Sequence, residues 1–352
     1  MFMLKKFLFV GLLLVLFVPN LVAVDGMVLP PPDYYIWETQ QKAVIFYEQG
    51  KETLVVSVSF QGNAKDFAWI IPTPSRPQAN KASDELFTSL SDLTSPIYDM
   101  PRPISLGAPE IRTMKDGQVL VLETQQIEYY DIAVLEATDR QALIDWLNKN
   151  GYTYPQSASY ILESYIKKGW YFTAVKVNDE YLSQNITGQL RSGHPVPLRL
   201  DFLSEKIVYP LKISSVQPNY DLTPARYRPN RQVGILLYVL SDNRQQLPKF
   251  ITQYAGWVDK ATIENLAYDD NGWPWLSPSK DKYFLTKLFR YMSKAEMTND
   301  LFLRQADDNQ TVNAPGLRQE RGFSGFIVVT LAGGILLLFL LLVLLFSGIR
   351  KE

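Results

Sequence analysis

Ala43-Val44-Ile45-Phe46-Tyr47-Glu48-Gln49-Gly50-Lys51-Glu52-Thr53-Leu54-Val55-Val56-Ser57-Val58-Ser59-Phe60 reads as two strands about a tight turn. Ala43 to Tyr47 forms the first arm and Glu48 to Lys51 the reversal. From Leu54 the residues alternate, with Leu54, Val56, Val58 and Phe60 on one side and Val55, Ser57 and Ser59 on the other. A period of two with one apolar face is the pattern of an antiparallel sheet that buries one side. The fold class expected from this stretch and its neighbours is α+β, mainly antiparallel sheet with three or four short helices.

The elements around the hairpin support that reading. Asp66-Phe67-Ala68-Trp69-Ile70-Ile71-Pro72-Thr73-Pro74 is an apolar strand ending in Pro-x-Pro, where the chain is expected to leave the sheet. Ser83 caps a helix with Asp84 and Glu85 in its first turn and Leu86, Phe87, Leu90 and Leu93 on one face. Residues 94–117 are an excursion rich in Pro and Gly, followed by strands at Gln118–Leu122 and Glu128–Glu136. Two helices come next. Thr138 and Gln141 give the first a capping box, with Leu143, Trp146 and Leu147 inward and Gly151 as its stop. Ser157 caps the second, with Ile161, Tyr165 and Ile166 inward and Gly169 ending it after Lys167 and Lys168. Strands are expected at Trp170–Val177, Val196–Phe202, Ile207–Ile213 and, as a continuous apolar run, Gln232–Leu240.

Phe67 to Pro74 with Glu85-Leu86-Phe87, Asn150-Gly151-Tyr152 and Tyr165 to Val177 resembles the bacterial domain-of-unknown-function family 2330. Further matches are Pro197 to Leu200, Val208 to Leu211, Leu236 to Leu240, Phe284 to Leu288 and Met297 to Asp300, so the resemblance runs over roughly residues 27–305. It implies a secreted or membrane-anchored bacterial protein and carries no activity with it.

The two ends of the chain set the topology. Lys5 and Lys6 precede an apolar run from Phe7 to Val18, closed by Pro19 and Ala23, which is the grammar of a secretory signal peptide cleaved near Ala23 or Val24, or else of a first membrane span. Phe323 to Ser347 is uncharged and long enough to cross the ~30 Å hydrocarbon core as a helix. The expected organisation is a signal peptide over 1–24, an extracytoplasmic domain over 25–303, a polar stalk over 304–321, a transmembrane helix over 322–349 and a cytoplasmic tail over 350–352. If the domain divides into two lobes, the Pro- and Asn-containing loop 214–231 is the place.

Composition then removes whole classes of chemistry. With 35 Lys plus Arg against 36 Asp plus Glu and no basic stripe, nucleic acid is not an expected partner. No cysteine is present, so disulfides, thiolate metal sites and thiol nucleophiles are excluded, and one histidine, His194, is too few for a histidine zinc site. A Ser-His-Asp triad would have to use His194, in the turn-like string Gly193-His194-Pro195. No phosphate loop, acidic calcium loop or nucleophile elbow occurs, so no cofactor or metal is expected.

Three constellations remain. Glu123, Glu128, Asp131 and Glu136 would suit carboxylate-dependent hydrolysis of a glycosidic bond, or else line the solvated face of a sheet. Asp269, Asp270 and Asn271 with Trp273 and Trp275 would grip a sugar ring, or else form a surface loop whose tryptophans tuck in. Trp69 to Pro74 would present a rigid rim, or else supply core through Phe67, Trp69 and Ile71. The functional expectation is a non-enzymatic, membrane-anchored binding module of the cell envelope, contacting an envelope polymer or a partner membrane protein. An envelope polysaccharide hydrolase is the alternative.

Overall fold

The computed structural model of the chain describes residues 27–29, 36–62, 67–95, 119–152, 154–177, 195–216, 232–269 and 272–313. The signal-peptide and membrane-span segments, His194, Asp270 and Asn271 lie outside the described residues. Among the described residues no helix is long and apolar enough to cross a membrane.

In chain order the elements are β1 (Met27–Leu29), β2 (Ile36–Glu48), β3 (Lys51–Gly62), β4 (Ala68–Thr73), β5 (Gln78–Lys81), α1 (Asp84–Leu93), β6 (Val119–Ile127), β7 (Tyr130–Ala137), α2 (Arg140–Lys149), α3 (Ser159–Ile166), β8 (Tyr171–Val177), β9 (Leu198–Leu203), β10 (Val208–Tyr209), β11 (Val233–Ser241), β12 (Gln245–Gln246), β13 (Ile251–Asp259), α4 (Lys260–Leu266), β14 (Lys282–Met292), β15 (Leu301–Phe302) and β16 (Arg304–Gln305). The fold is α+β with mostly antiparallel sheets.

The opening hairpin is β2 paired with β3 around Gln49 and Gly50, whose φ values of 50° and 79° are the left-handed pair that lets a two-residue turn follow the strand twist. It sits inside a seven-stranded sheet of order β13-β14-β11-β2-β3-β9-β5. Every neighbouring pair there is antiparallel except β11 with β2. A second, five-stranded antiparallel sheet has the order β1-β4-β8-β7-β6.

Strand period sorts the core into layers. On β2, Ala43 and Ile45 join the apolar cluster that holds the five-stranded sheet together with α2 and α3. Val44 and Phe46 point the other way and join α1 and α4. The order of layers is α2 and α3, the five-stranded sheet, the seven-stranded sheet, then α1 and α4. The five-stranded sheet is covered on both faces, so every residue of β4 is buried and the string Ala68 to Thr73 shows no alternation. Val208, Tyr209 and Ile213, before the segment 214–231, share one cluster with Val233, Ile235 and Leu237 after it.

Several expectations are corrected in detail. Pro72 lies within β4, opposite Phe172, and not beyond it. It is tolerated because, among the described residues, β1 covers β4 only from Ala68 to Ile70 and no ladder partner calls for an N–H at Pro72. Asp139, not Thr138, caps α2, its carboxylate accepting from Ala142 N at 2.8 Å. No side chain caps α3, because a single 3₁₀ turn at Gln156–Ala158 leads into it. Leu93 is exposed and Trp146 only partly buried. The strand expected over 207–213 is two residues long, since Pro210 ends it and a 3₁₀ turn occupies Lys212–Ser215.

The stalk expected from residue 304 is also corrected. Residues 304–312 are docked on the domain: β16 pairs with β12, Ala306 N donates to Arg244 O at 2.8 Å, and Val312 and Ala255 exchange both backbone hydrogen bonds. The polar side chains that made this run look solvated are used as partners. Asn309 accepts from Arg244 N at 2.8 Å, and Asp308 pairs with the Arg244 guanidinium at 3.2 Å.

Glu52 is a fully buried carboxylate between the sheets. It shares the apolar face of β3 with Leu54 and Val56, and its Oε2 accepts from Val208 N at 3.0 Å. Burial pushes its pKa well above the carboxylate range, against the smaller pull of the Val208 amide. The folded state therefore keeps a proton that the unfolded chain releases near pH ~4.3. Stability is fully present below that pH and is lost as pH rises toward the raised folded value. Glu52→Gln is expected to flatten this decline and raise stability at neutral pH; urea midpoints for both proteins at about pH 5 and about pH 8 check it.

Candidate functional site

Three of the four residues singled out as ligand contacts, Asp269, Trp273 and Trp275, lie on the described part of the connection from α4 to β14. Asp259 starts α4 by accepting from Thr262 N at 2.7 Å, and Ile263 and Ala267 seat it on the seven-stranded sheet. The chain then doubles back on itself: Trp275 N donates to Ala267 O at 2.7 Å and Asp269 N to Trp273 O at 2.8 Å. Gly272 takes φ 78°, a left-handed conformation that a side chain would strain. Its N–H donates to Asp269 O at 2.9 Å, and Trp273 N donates to the Asp269 carboxylate at 3.0 Å.

The two indoles separate in role. Trp273 is 71% exposed, the most exposed large apolar side chain described. Trp275 turns inward: its Nε1–H donates to Tyr268 O at 3.0 Å, and the Arg199 guanidinium lies 4.6 Å from its ring centroid. Arg199 is itself held by Asp201 at 3.0 Å, which also accepts from Thr53 Oγ1 at 2.5 Å. Under Trp275 a small apolar cleft is lined by Phe46, Val55, Leu86, Ile263 and Leu276 among others, with a free space of only about 10 Å³. That is far below the ~300–1,000 Å³ of ordinary small-molecule sites. Asp269 is committed to shaping the loop, so the part that faces outward for a ligand is the Trp273 indole.

Both ends of the loop are fastened. Tyr268 Oη donates to Glu85 of α1 at 3.3 Å. Beyond the tryptophans, Ser279 and Tyr283 both donate to the Glu48 carboxylate at the β2–β3 turn. Trp273 is thus displayed from a closed, anchored loop.

Of the acids of the hydrolase alternative, Glu123 and Glu128 are held apart, each beside its own cation. Glu123 lies on β6 with Arg76 at 3.5 Å, and Glu128 lies in the β6–β7 turn with Lys81 at 2.7 Å. Five residues of extended chain separate them by about 16 Å of backbone, while a retaining or inverting pair needs about 5–9.5 Å between carboxyls. Asp131 stands opposite Lys176 on β8, and Glu136 opposite Leu120 at the other end of the hairpin.

Among the described residues the acids whose pKa values are raised are Glu52 and Asp84, neither of them among the acids singled out from the sequence. Burial raises Asp84 to about 6 and the Lys42 ammonium offsets part of the rise, while burial lowers Lys42. Asp84 begins α1 and Glu52 faces the five-stranded sheet, so the two sit on opposite faces of the seven-stranded sheet. They cannot share a substrate. The signal for Glu52 was in the strand period, since Glu52, Leu54 and Val56 occupy one face; Lys42 shares its face with Val44 and Phe46 in the same way. The third constellation is core: Phe67, Trp69 and Ile71 are all buried.

Comparison with known proteins gives fold-level likeness of low degree. A mutated baculovirus P35 after caspase cleavage aligns with 12% identity and a TM-score of 0.36, covering 76% of this chain and 97% of that one. Baculovirus P35 itself aligns with 11% identity and a TM-score of 0.33, covering 81% and 98%. Likeness of this size assigns no function. No curated protein matches the sequence. A family described as an uncharacterized protein conserved in bacteria (DUF2330) matches residues 19–304, and the chain belongs to that family.

Proposed function

We propose that this chain is a membrane-anchored extracytoplasmic module that binds without cleaving, and that Trp273 is its leading contact to an envelope polysaccharide. The carrying observation is the display of Trp273: an indole 71% exposed on a loop closed by Asp269 and fixed to α1 and the β2–β3 turn. A flat indole held out in water gains by stacking on the apolar face of a sugar ring. Holding the loop in its bound shape beforehand lowers the entropy lost on binding. Anchoring rests on the apolar run 322–349, and export on the leader-like run that begins with Lys5 and Lys6.

The test is retention of the detergent-solubilised full chain on purified envelope polysaccharide. Trp273→Ala is expected to weaken retention roughly 30-fold, the loss of about 2 kcal/mol typical of a central contact. Its melting temperature should stay within about 1 °C of the parent's, because the side chain packs against little. Unchanged retention rejects Trp273 as the contact. Trp275→Ala is no substitute, since that ring roofs the apolar cleft and its loss unsettles the fold. If the parent protein ignores the polysaccharide but cross-links to a neighbour in its own membrane, the partner is a membrane protein.

A further inference from the structure

We infer that the β13 edge of the seven-stranded sheet rests on the bilayer surface, with Trp257 at the headgroup level and Lys282 beside anionic lipid phosphates. This inference rests on the anchoring proposed above and adds to it which side of the domain faces the membrane.

The direction comes from where the docked C-terminal segment leaves the domain. Val312 is locked to Ala255 of β13 through Val312 N to Ala255 O at 2.8 Å and Ala255 N to Val312 O at 2.7 Å. Asn309 and Asp308 hold the preceding residues to Arg244. The chain cannot swing from an earlier hinge, so the tether begins at Asn313, and Phe323 opens the apolar run ten residues later. Ten residues reach at most about 34 Å when extended, and about 17 Å as a flexible coil. The edge that carries Ala255 is therefore kept within that distance of the bilayer.

The chemistry of the edge suits that position. Trp257 is two residues from Ala255 on the same strand and is 43% exposed. Its ring packs edge-on against Phe284 at 4.9 Å, and the Lys282 ammonium stands 4.6 Å from its centroid. An indole with a cation beside it is the pairing that settles at the membrane interface, the ring among the glycerol and headgroups and the ammonium on phosphate. Ile251, at the other end of β13, is 51% exposed. Trp275 touches Arg199 of β9, five positions from β13 in the strand order, which is about 24 Å across the sheet. Trp275, on the loop that carries the proposed sugar contact, thus lies across the sheet from the bilayer contact.

The natural chain has no cysteine, so a single introduced cysteine gives a unique label. Full-length Ile251→Cys, Leu203→Cys and Leu336→Cys proteins, each carrying an environment-sensitive fluorophore, are reconstituted into phosphatidylcholine–phosphatidylglycerol vesicles containing headgroup- or chain-spin-labelled lipid. The expected result is strong quenching at 336 by chain label, quenching at 251 by headgroup label several-fold above that at 203, and loss of the excess at 251 when Trp257→Ala or Lys282→Gln is added. Quenching at 336 with equal signals at 251 and 203 overturns the bilayer contact and leaves the anchor standing. No quenching at 336 removes the anchor itself. Energy transfer between labelled copies at 251, without lipid quenching there, overturns the inference in favour of a second copy of this chain against the β13 edge.

Discussion

Asp300→Ala is expected to destabilise the domain by about 3 kcal/mol, a fall in melting temperature of roughly 6–10 °C for a domain of this size. The Asp300 carboxylate is buried where three parts of the chain meet. It accepts from Tyr165 Oη of α3 at 2.5 Å and from Lys212 N in the 3₁₀ turn at 3.1 Å, and it pairs with Lys168 at 3.3 Å. Tyr165 in turn accepts from Ile213 N at 3.1 Å. Burial pushes the Tyr165 phenol well up, and the carboxylate beside it adds to the rise, so the hydroxyl stays a donor. Alanine would leave two buried donors without an acceptor. The Lys168 partner is nearly half exposed, so its share of the loss is small. Asp300→Asn keeps an acceptor oxygen and should recover most of the stability; thermal melts of the three proteins decide it.

Trp69→Ala is expected to cost about 3–5 kcal/mol by opening a large cavity between the sheets, read as a lower urea midpoint with the same slope. Trp69 has no exposed surface, and its Nε1–H has no hydrogen-bond partner among the described residues. What it contributes is apolar volume, so Trp69→Phe should cost much less. A loss on Trp69→Ala no greater than that of a surface substitution would mean that the Phe67–Ile71 string is not core and would reopen its reading as a rim.

The parts of this fold legible in the sequence were those decided by neighbours along the chain. The Ala43–Phe60 hairpin announced itself through its glycine turn and its period of two, and Ser83, Gly151 and Gly169 marked helix ends correctly. What failed depended on distant partners. Residues 304–313 look like a solvated tether because nothing local reveals that Arg244 and Ala255 take up their polar groups. β13 and β14 passed without assignment as strands: a bulge between Thr252 and Tyr254 breaks the alternation on β13, and β14 is buried on both faces over much of its length. Of the candidate site, the sequence placed Asp269, Trp273 and Trp275 on one connection, but only packing shows that Trp273 is exposed, that Trp275 faces inward and that the acids with raised pKa values are Glu52 and Asp84 on opposite faces of a sheet.

The central claim is that this module binds its polymer and leaves it whole. The direct measurement is to incubate the full-length protein with purified envelope polysaccharide, separate bound from free polymer, and follow soluble products by mass spectrometry beside an active hydrolase. The account predicts polymer retained through Trp273 and no released fragments. Fragments that disappear on Glu123→Gln or Glu128→Gln would contradict it and make the protein an enzyme.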